Sequence, residues 1–321
     1  MPVFDQILLG DIGGTTARFA LFDGAKLGPI AHIPVAQHAC AVAAIASFLD
    51  KHPSRGRLAD AILGVAGPVE GERCVVTNSH WALDGRELRS ALAIERLKLI
   101  NDFEAIAWSL PWLDRKDART LGGGKAVPNE PMVVIGPGTG LGMAAFIPRK
   151  SGASVVPTEG GHATLPGGSM REDAVIEQLR QRFGHVSAER ALSGAGLENL
   201  FRAIAALEGA AVLERKAAEI TRHALDGTCT ASRAATDMFC AMLGGVAANL
   251  ALMFRARGGV YIAGGIAPRL VVYLEKSEFR ARFVAKGRFR TYLEAVPTRV
   301  IVHEDAAFLG LQSLAHSSAL Q

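Results

Sequence analysis

Cysteine is scarce in this chain, and cysteine pairs are absent. Cys40, Cys74, Cys229 and Cys240 lie 34, 155 and 11 residues apart with no C-x-x-C among them, a spacing that suggests neither a zinc knuckle nor a disulfide framework. A reduced, cytosolic compartment fits that usage best. No run approaches the roughly 18 to 20 uninterrupted apolar residues of a membrane span, which points to a soluble protein with no membrane partner. Between Met1 and the strand-like Ile7-Leu8-Leu9 there is no basic segment, long apolar stretch and cleavage site of an export signal. Charge of one sign is not concentrated either: 35 Lys and Arg against 31 Asp and Glu give +4, with the basic residues scattered in pairs such as Arg288 and Arg290. Nucleic acid is therefore not implied as a partner.

Three well-known motifs are missing as well. There is no G-x-S-x-G elbow of an α/β-hydrolase. The Walker A pattern fails because Gly122-Gly123-Gly124-Lys125 is followed by Ala126 rather than Ser or Thr. The glycine run at 136–142 reads G-x-G-x-G-x-G, which departs from the dinucleotide fingerprint at Leu141 and Met143.

What is present is a well-folded composition, with 49% hydrophobic and 21% charged residues in a chain of 321. That excludes disorder and allows one large or two ordinary domains. Apolar runs at Ile7-Leu9, Ala17-Phe22, Ala61-Val65, Leu97-Ile100, Val133-Ile135, Met143-Ile147, Val260-Ala263 and Arg299-Val302 read as strands. Helical spacing of apolar positions predicts helices near 38–51, 86–96, 171–183, 195–208, 210–225, 231–256 and 304–316. Strands alternating with helices indicate an α/β protein. Leu121 to Lys125 reads as a loop, and Pro111-Trp112 marks a domain boundary near 110–115.

Three glycine-rich turns each follow a strand. The first runs Gly10, Asp11, Ile12, Gly13, Gly14, Thr15 and Thr16. Adjacent glycines followed by hydroxyl residues let backbone N–H groups approach an anion, which suits a phosphate. Asp11 could hold a hydrated Mg²⁺, an ion that takes one or two carboxylates and keeps its waters; an ordinary hairpin with a satisfied Asp is the competing reading. The second turn, Gly138, Thr139 and Gly140, could wrap a phosphoryl group in the same way. The third, Gly264 and Gly265 after Val260-Tyr261-Ile262-Ala263, could lie flat against a nucleobase. Together they describe a split nucleotide cleft.

Asn101-Asp102 follows an apolar strand and precedes a helix, so the Asp102 carboxylate emerges where α/β sites lie. A phosphoryl acceptor hydroxyl needs such a group to orient it and take its proton, though a helix N-cap is the structural alternative. Glu159-Gly160-Gly161-His162 brings a carboxylate and an imidazole to one small ligand; the rival readings are a turn with a solvated Glu and an incidental His, or a metal pair, which the lack of nearby cysteines and of an H-E-x-x-H helix disfavours. Glu189, taken by itself, reads as a solvated residue at a helix start. Trp81 reads as core, with sugar stacking as the alternative.

The segments GDIGGTTARFAL, GVAGPVEG, TNSHWALDG, INDFEAIAWSLP, IGPGTGLG, EGGH, GHVSAERALSGAGLENLFRAI, GGVYIAGGIAPR and KGRFRTYLEAVPTRVIVH are spread in this order over nearly the whole chain. On them the chain resembles the ATP-dependent, hexokinase-like bacterial glucokinases, of the enterobacterial type. That resemblance implies a two-domain actin/hexokinase/heat-shock-70-like ATPase fold, ribonuclease H-like, with the active site in the interdomain cleft. It divides the chain into a small domain of residues 1–112 plus 304–321 and a large domain of 113–303. It implies Asn101, Asp102, Glu159, His162 and Glu189 as sugar ligands, with Asp102 as base, and Gly264-Gly265 against adenine. Glu189 gains its role only through this similarity. The family commonly has Asn where this chain has Thr16, which keeps the turn and changes one side chain. A related sugar-kinase group carries a cysteine-rich zinc motif, but here no cysteine falls between 74 and 229, so His162 is read as a sugar ligand without zinc.

The function implied is transfer of the ATP γ-phosphoryl group, with Mg²⁺, to the 6-hydroxyl of D-glucose, giving glucose 6-phosphate and ADP in a cytoplasmic homodimer. The rival enzyme is a kinase for another hexose or an amino sugar. A sugar-sensing regulator on the same scaffold would need a DNA-binding helix-turn-helix, and only six residues precede the first strand. An actin-like filament would have no use for the sugar residues.

Overall fold

The computed structural model describes residues 6–52, 57–210 and 213–317. Backbone contacts divide the chain into two compact units, Met1–Leu113 with Glu304–Gln321, and Asp114–His303.

The first unit is built on a five-stranded sheet. Its strands are β1 (Gln6–Ile12), β2 (Thr16–Phe22), β3 (Ala31–Pro34), β4 (Leu58–Val65) and, further along, Arg96–Asn101, in the order β3-β2-β1-β4 and then that last strand. β1 to β3 form an antiparallel meander, while β4 and the 96–101 strand extend the sheet in parallel with β1. β4 is an almost uninterrupted buried run, the pattern of a strand covered on both faces. Helix α1 (Ala41–Lys51) buries Ala41, Ala44, Ile45 and Phe48, the 3.6-residue stripe that its sequence shows. A small antiparallel sheet of β5 (Val69–Glu70), β6 (Arg73–Val75) and β7 (Ala82–Asp84) leads into α2 (Gly85–Leu92). The Asp84 side chain caps α2 by accepting from the Arg86 and Glu87 amides. The helix expected over 86–96 stops early because Ala93 turns into the left-handed region at φ 50°, and Arg96 already begins the strand β8 (Arg96–Asn101). Helix α3 (Asp102–Ser109) gives way at Pro111 to a single 3₁₀ turn, Leu110–Trp112. Trp81 is 1% exposed and belongs to the core of this unit, as does the buried stripe of α1.

The second unit repeats the arrangement without repeating the sequence. Its sheet contains β9 (Ala118–Gly122), β10 (Met132–Pro137), β11 (Leu141–Arg149), β12 (Gly152–Thr158), β13 (Gly259–Ile262) and β14 (Thr298–Ile301), in the order β12-β11-β10-β13-β14-β9. β10 to β12 again form an antiparallel meander, and β13 and β14 again run parallel to β10. β9 covers the edge antiparallel to β14, so the loop expected from Leu121 begins two residues later, at Gly123. Helices α4 (Met170–Phe183), α5 (Gly194–Leu207) and α6 (Ala217–Leu225) follow β12; the helix expected over 210–225 is shorter, and residues 211 and 212 lie outside the described set.

Helix α7 (Thr230–Met253) is long and apolar enough to cross a membrane by length and composition, but 72% of its apolar window is buried inside the unit. Its buried face, Phe239, Leu243 and Leu250 among others, belongs to the largest core cluster, which is the place of a central core helix. Three short helices, α8 (Val271–Lys276), α9 (Phe279–Val284) and α10 (Arg290–Ala295), lie between β13 and β14 and carry no long apolar period to announce them. The closing helix, Ala306–His316, packs against α3 in the first unit.

Candidate functional site

Register places the first set of residues. Ile12 at the end of β1 pairs with Val65 of β4, and Val65 pairs with Asn101 of β8, so three parallel strands end at one level. The glycine turn after β1 and the Asn101-Asp102 pair therefore sit on the same edge of the sheet, the edge at which α/β folds bind ligands. Gly10 and Ile12 frame the turn rather than form it. Both lie inside β1, Ile12 is 0% exposed, and the space beside Gly10 is filled by Leu63 and Phe19. Gly13 donates its N–H to the Thr16 carbonyl at 3.0 Å and closes the turn, while the Thr15 carbonyl accepts from Val35 at 3.0 Å. Gly14 and Thr15 are left at the tip, where they line a hollow of about 490 Å³ with Asn78, Ser79 and His80.

Asp11 stands opposite Arg18 in the β1–β2 register. The Arg18 Nε donates to Asp11 Oδ2 at 3.0 Å and Nη2 donates to the same oxygen. Among the described residues no group of three or more His, Cys, Asp or Glu is placed to hold a metal ion. A Mg²⁺ arriving on a nucleotide needs no more than one carboxylate and water.

Asn101 caps α3, its Oδ1 accepting from the Phe103 N–H at 2.9 Å, and its Nδ2 donates to the Gly67 carbonyl at 3.1 Å. Asp102 occupies the first helical position and its Oδ1 also accepts from Phe103 N–H, at 3.0 Å. An ionised carboxylate is well placed at a helix N-terminus. Burial and the nearby Asp102 charge push the Cys74 thiol up to about 11, so that cysteine stays protonated.

The second set belongs to the other unit. The turn between β10 and β11 holds Gly138, Thr139 and Gly140, and is closed by Gly138 N–H donating to the Gly140 carbonyl at 2.9 Å. Because β13 runs parallel beside β10, its end comes against this turn. Gly264 has φ +79°, and a Cβ there would meet the Pro137 carbonyl at 2.4 Å, whereas a Cβ on Gly265 would meet nothing within 4 Å. Gly264 is thus a packing residue, and Gly265 presents the open face. Glu159 precedes the 3₁₀ turn Gly160–His162 and His162 ends it; their side chains are 70% and 61% exposed, with His162 Nε2 at 3.8 Å from Glu159 Oε2.

Glu189 is not the solvated residue its local sequence suggests. Its Oε2 accepts from the Leu141 N–H at 2.9 Å, directly after the glycine turn. Sequence reasoning did not find Leu141, Gly67 or Arg18. Leu141 and Gly67 act through backbone atoms, which leave no trace in side-chain motifs. Arg18, seven residues after Asp11 across a hairpin turn, was open to discovery as a cross-strand charge pair.

A family model for glucokinases matches residues 8–318. The chain belongs to the glucokinase family. It is 44% identical over 312 residues to a glucokinase of Paramagnetospirillum magneticum, covering 96% of this chain and 97% of that one. It is 38% identical to a glucokinase of Cronobacter sakazakii, over 94% of each chain. Among solved structures, a glucokinase from an Antarctic psychrotroph superposes with a TM-score of 0.87 at 34% identity, covering 98% of this chain and 100% of that one. A glucokinase from Balamuthia mandrillaris, solved with glucose, shares the fold at a TM-score of 0.80 and 22% identity, over 96% of this chain and 92% of that one. The fold is the actin/hexokinase-like fold of sugar kinases, and the two meander-plus-parallel sheets are its two halves.

Proposed function

We propose that this protein transfers the γ-phosphoryl group of ATP, supplied as the Mg²⁺ complex, to the 6-hydroxyl of D-glucose, giving glucose 6-phosphate and ADP. Membership of the glucokinase family over residues 8–318 supports the reaction. The observation that carries the chemistry is the alignment of Asn101-Asp102 with the glycine turn at the shared end of β1, β4 and β8. Phosphoryl transfer asks little covalent chemistry of a protein; it asks for positioning and for charge stabilisation.

In this reading Asp102 accepts the proton of the attacking hydroxyl, and Asn101, Glu159, His162 and Glu189 hold the other sugar hydroxyls. Gly14 to Thr16 and Gly138 to Gly140 offer backbone amides to the phosphates, Gly265 lies along the adenine, and Asp11 meets a water of the nucleotide's Mg²⁺. The family resemblance further supports a cytoplasmic homodimer, which light scattering of the purified protein tests.

The deciding experiment is steady-state ADP release with MgATP across glucose, mannose, fructose, N-acetylglucosamine and N-acetylmannosamine. Glucose is expected to give the highest kcat/KM. Absence of turnover with glucose, or a higher kcat/KM for an amino sugar, would overturn the assignment.

A further inference from the structure

Leu141 lies between the two kinds of residue that the second unit contributes. Its N–H donates to Glu189 Oε2 at 2.9 Å. Its carbonyl is pressed by the EGGH loop, since a Cβ on Gly161 would stand 2.2 Å from that oxygen. Immediately before Leu141 runs the turn Gly138 to Gly140, and the Gly138 carbonyl accepts from the Gly194 N–H at 2.8 Å. Gly194 and Glu189 belong to one stitched segment: Ser193 Oγ donates to the Glu189 carbonyl and accepts from the Gly196 N–H, both at 2.9 Å. The same segment is tied to the EGGH loop by Ala188 N–H donating to the Ala163 carbonyl at 2.8 Å and Leu165 N–H donating to Val186 at 2.9 Å. Glu159, His162, Glu189 and the glycine turn thus share one backbone frame with the Leu141 peptide at its centre.

We propose that the Glu189–Leu141 hydrogen bond couples the two subsites, so that sugar on Glu189 fixes the glycine turn and tightens nucleotide binding. The inference rests on the assignment of Glu189 to the sugar. A carboxylate offers about four lone-pair sites on two oxygens; Oε2 serves Leu141, which leaves Oε1 for a hydroxyl. A hydroxyl bound there holds the carboxylate in one rotamer, and through Leu141 holds the turn in one conformation. The nucleotide then binds to a turn whose ordering cost has already been met, which is positive coupling without any new contact.

Gly140 provides a clean test. A Cβ on Gly140 would come within 2.5 Å of Glu189 Oε2 and 3.4 Å of its Cδ, with no other atom among its near contacts. Gly140→Ala therefore displaces the end of a flexible side chain and breaks the bond to Leu141 while the carboxylate remains. Glu189→Gln is the conservative counterpart, because an amide oxygen can still accept from Leu141.

Calorimetric titration of MgADP with and without saturating glucose gives the ratio of nucleotide Kd values. In the wild type we expect glucose to tighten MgADP at least about fivefold, the lower end of ordinary coupling. Gly140→Ala should bring the ratio to within about twofold of one, and Glu189→Gln should retain most of it despite weaker glucose binding. Coupling generated elsewhere in the molecule would survive Gly140→Ala, and that result overturns the proposal. So does a wild type that binds glucose with a ratio of one. A wild type that fails to bind glucose at all would instead remove the sugar assignment beneath it.

Discussion

Arg18 holds Asp11 from across the first hairpin and, with its other nitrogen, reaches the cap of the closing helix. Its Nε donates to Asp11 Oδ2 at 3.0 Å, and Nη1 donates to Asp305 Oδ1 at 3.0 Å and to the Glu304 carbonyl at 3.1 Å. One planar guanidinium spans two carboxylates and a carbonyl, which a single ammonium cannot reproduce. Arg18→Met leaves Asp11, 14% exposed, without its partner, and is expected to cost about 1 to 3 kcal/mol. Arg18→Lys should lose less. Urea unfolding of both variants measures the difference; equal stability of Arg18→Met and wild type would contradict it.

Asp102→Asn keeps the shape and the hydrogen bond to Phe103 while removing the proton acceptor. It should lower kcat by at least about 100-fold with a much smaller change in glucose affinity. Turnover near the wild-type rate, measured by coupled ADP release, would show that the carboxylate is not the base.

The places of the two glycine turns and of the Asn101-Asp102 pair at strand ends were legible because the signal is local: a strand, then glycines or a polar pair, then the next element. The fold class was legible for the same reason, since β4 and β10 are apolar runs long enough to read without partners. Glu189 was not legible, because its partner Leu141 is 48 residues away and donates through its backbone. β9 runs into the start of a glycine stretch that reads as a loop, and its pairing with β14 is what carries the strand through Gly122. The end of α2 was misplaced because Ala93 adopts a left-handed conformation that alanine does not advertise. Tertiary pairing decides each of these, and a single sequence does not display it.

Gly264 and Gly265 look interchangeable in sequence and should behave differently. Gly264→Ala places a Cβ 2.4 Å from the Pro137 carbonyl at a φ of +79°, a backbone clash with no flexible atom to yield. It should destabilise the second unit by about 1 kcal/mol or more. Gly265→Ala has open space and should leave stability unchanged while raising the KM for MgATP. Thermal unfolding and nucleotide kinetics on both variants distinguish the roles, and an unchanged MgATP KM for Gly265→Ala would remove it from the nucleotide site.

Cys229 should be far more reactive than the buried cysteines. Burial raises its thiol, but hydrogen bonding with Ser232 and the Arg215 guanidinium outweighs that and brings it down to about 7. Burial pushes Cys74 up to about 11 and Cys240 up to about 12. Only the thiolate is the nucleophile, so iodoacetamide labelling of Cys229 should rise with pH through a midpoint near 7 and level off above it. Cys74 and Cys240 should stay unlabelled in the folded protein. Arg215→Ala should move the Cys229 midpoint upward; mass spectrometry that finds all three thiols labelled alike at pH 7 would refute this.

Glu172 on α4 and Arg282 on α9 form a bidentate ion pair across 110 residues of sequence, at 2.8 and 3.0 Å. The Glu172 side chain is 5% exposed and also accepts from the Gly168 N–H at 2.7 Å; Arg282 is 22% exposed. Taking two charges out of water costs several kcal/mol, so the pair is close to neutral as a whole but severe to break. Glu172→Gln leaves the partly exposed Arg282 charge without its ion partner and should cost about 1 to 3 kcal/mol. The double variant Glu172→Met/Arg282→Met removes both charges and keeps much of the volume, and should be more stable than either single change. Salt should do little to the wild-type pair, since screening acts weakly on buried charges. Chemical unfolding of Glu172→Gln, Arg282→Met and the double variant at low and high salt tests this, and a double variant less stable than both singles would mean that the pair stabilises the α4–α9 packing outright.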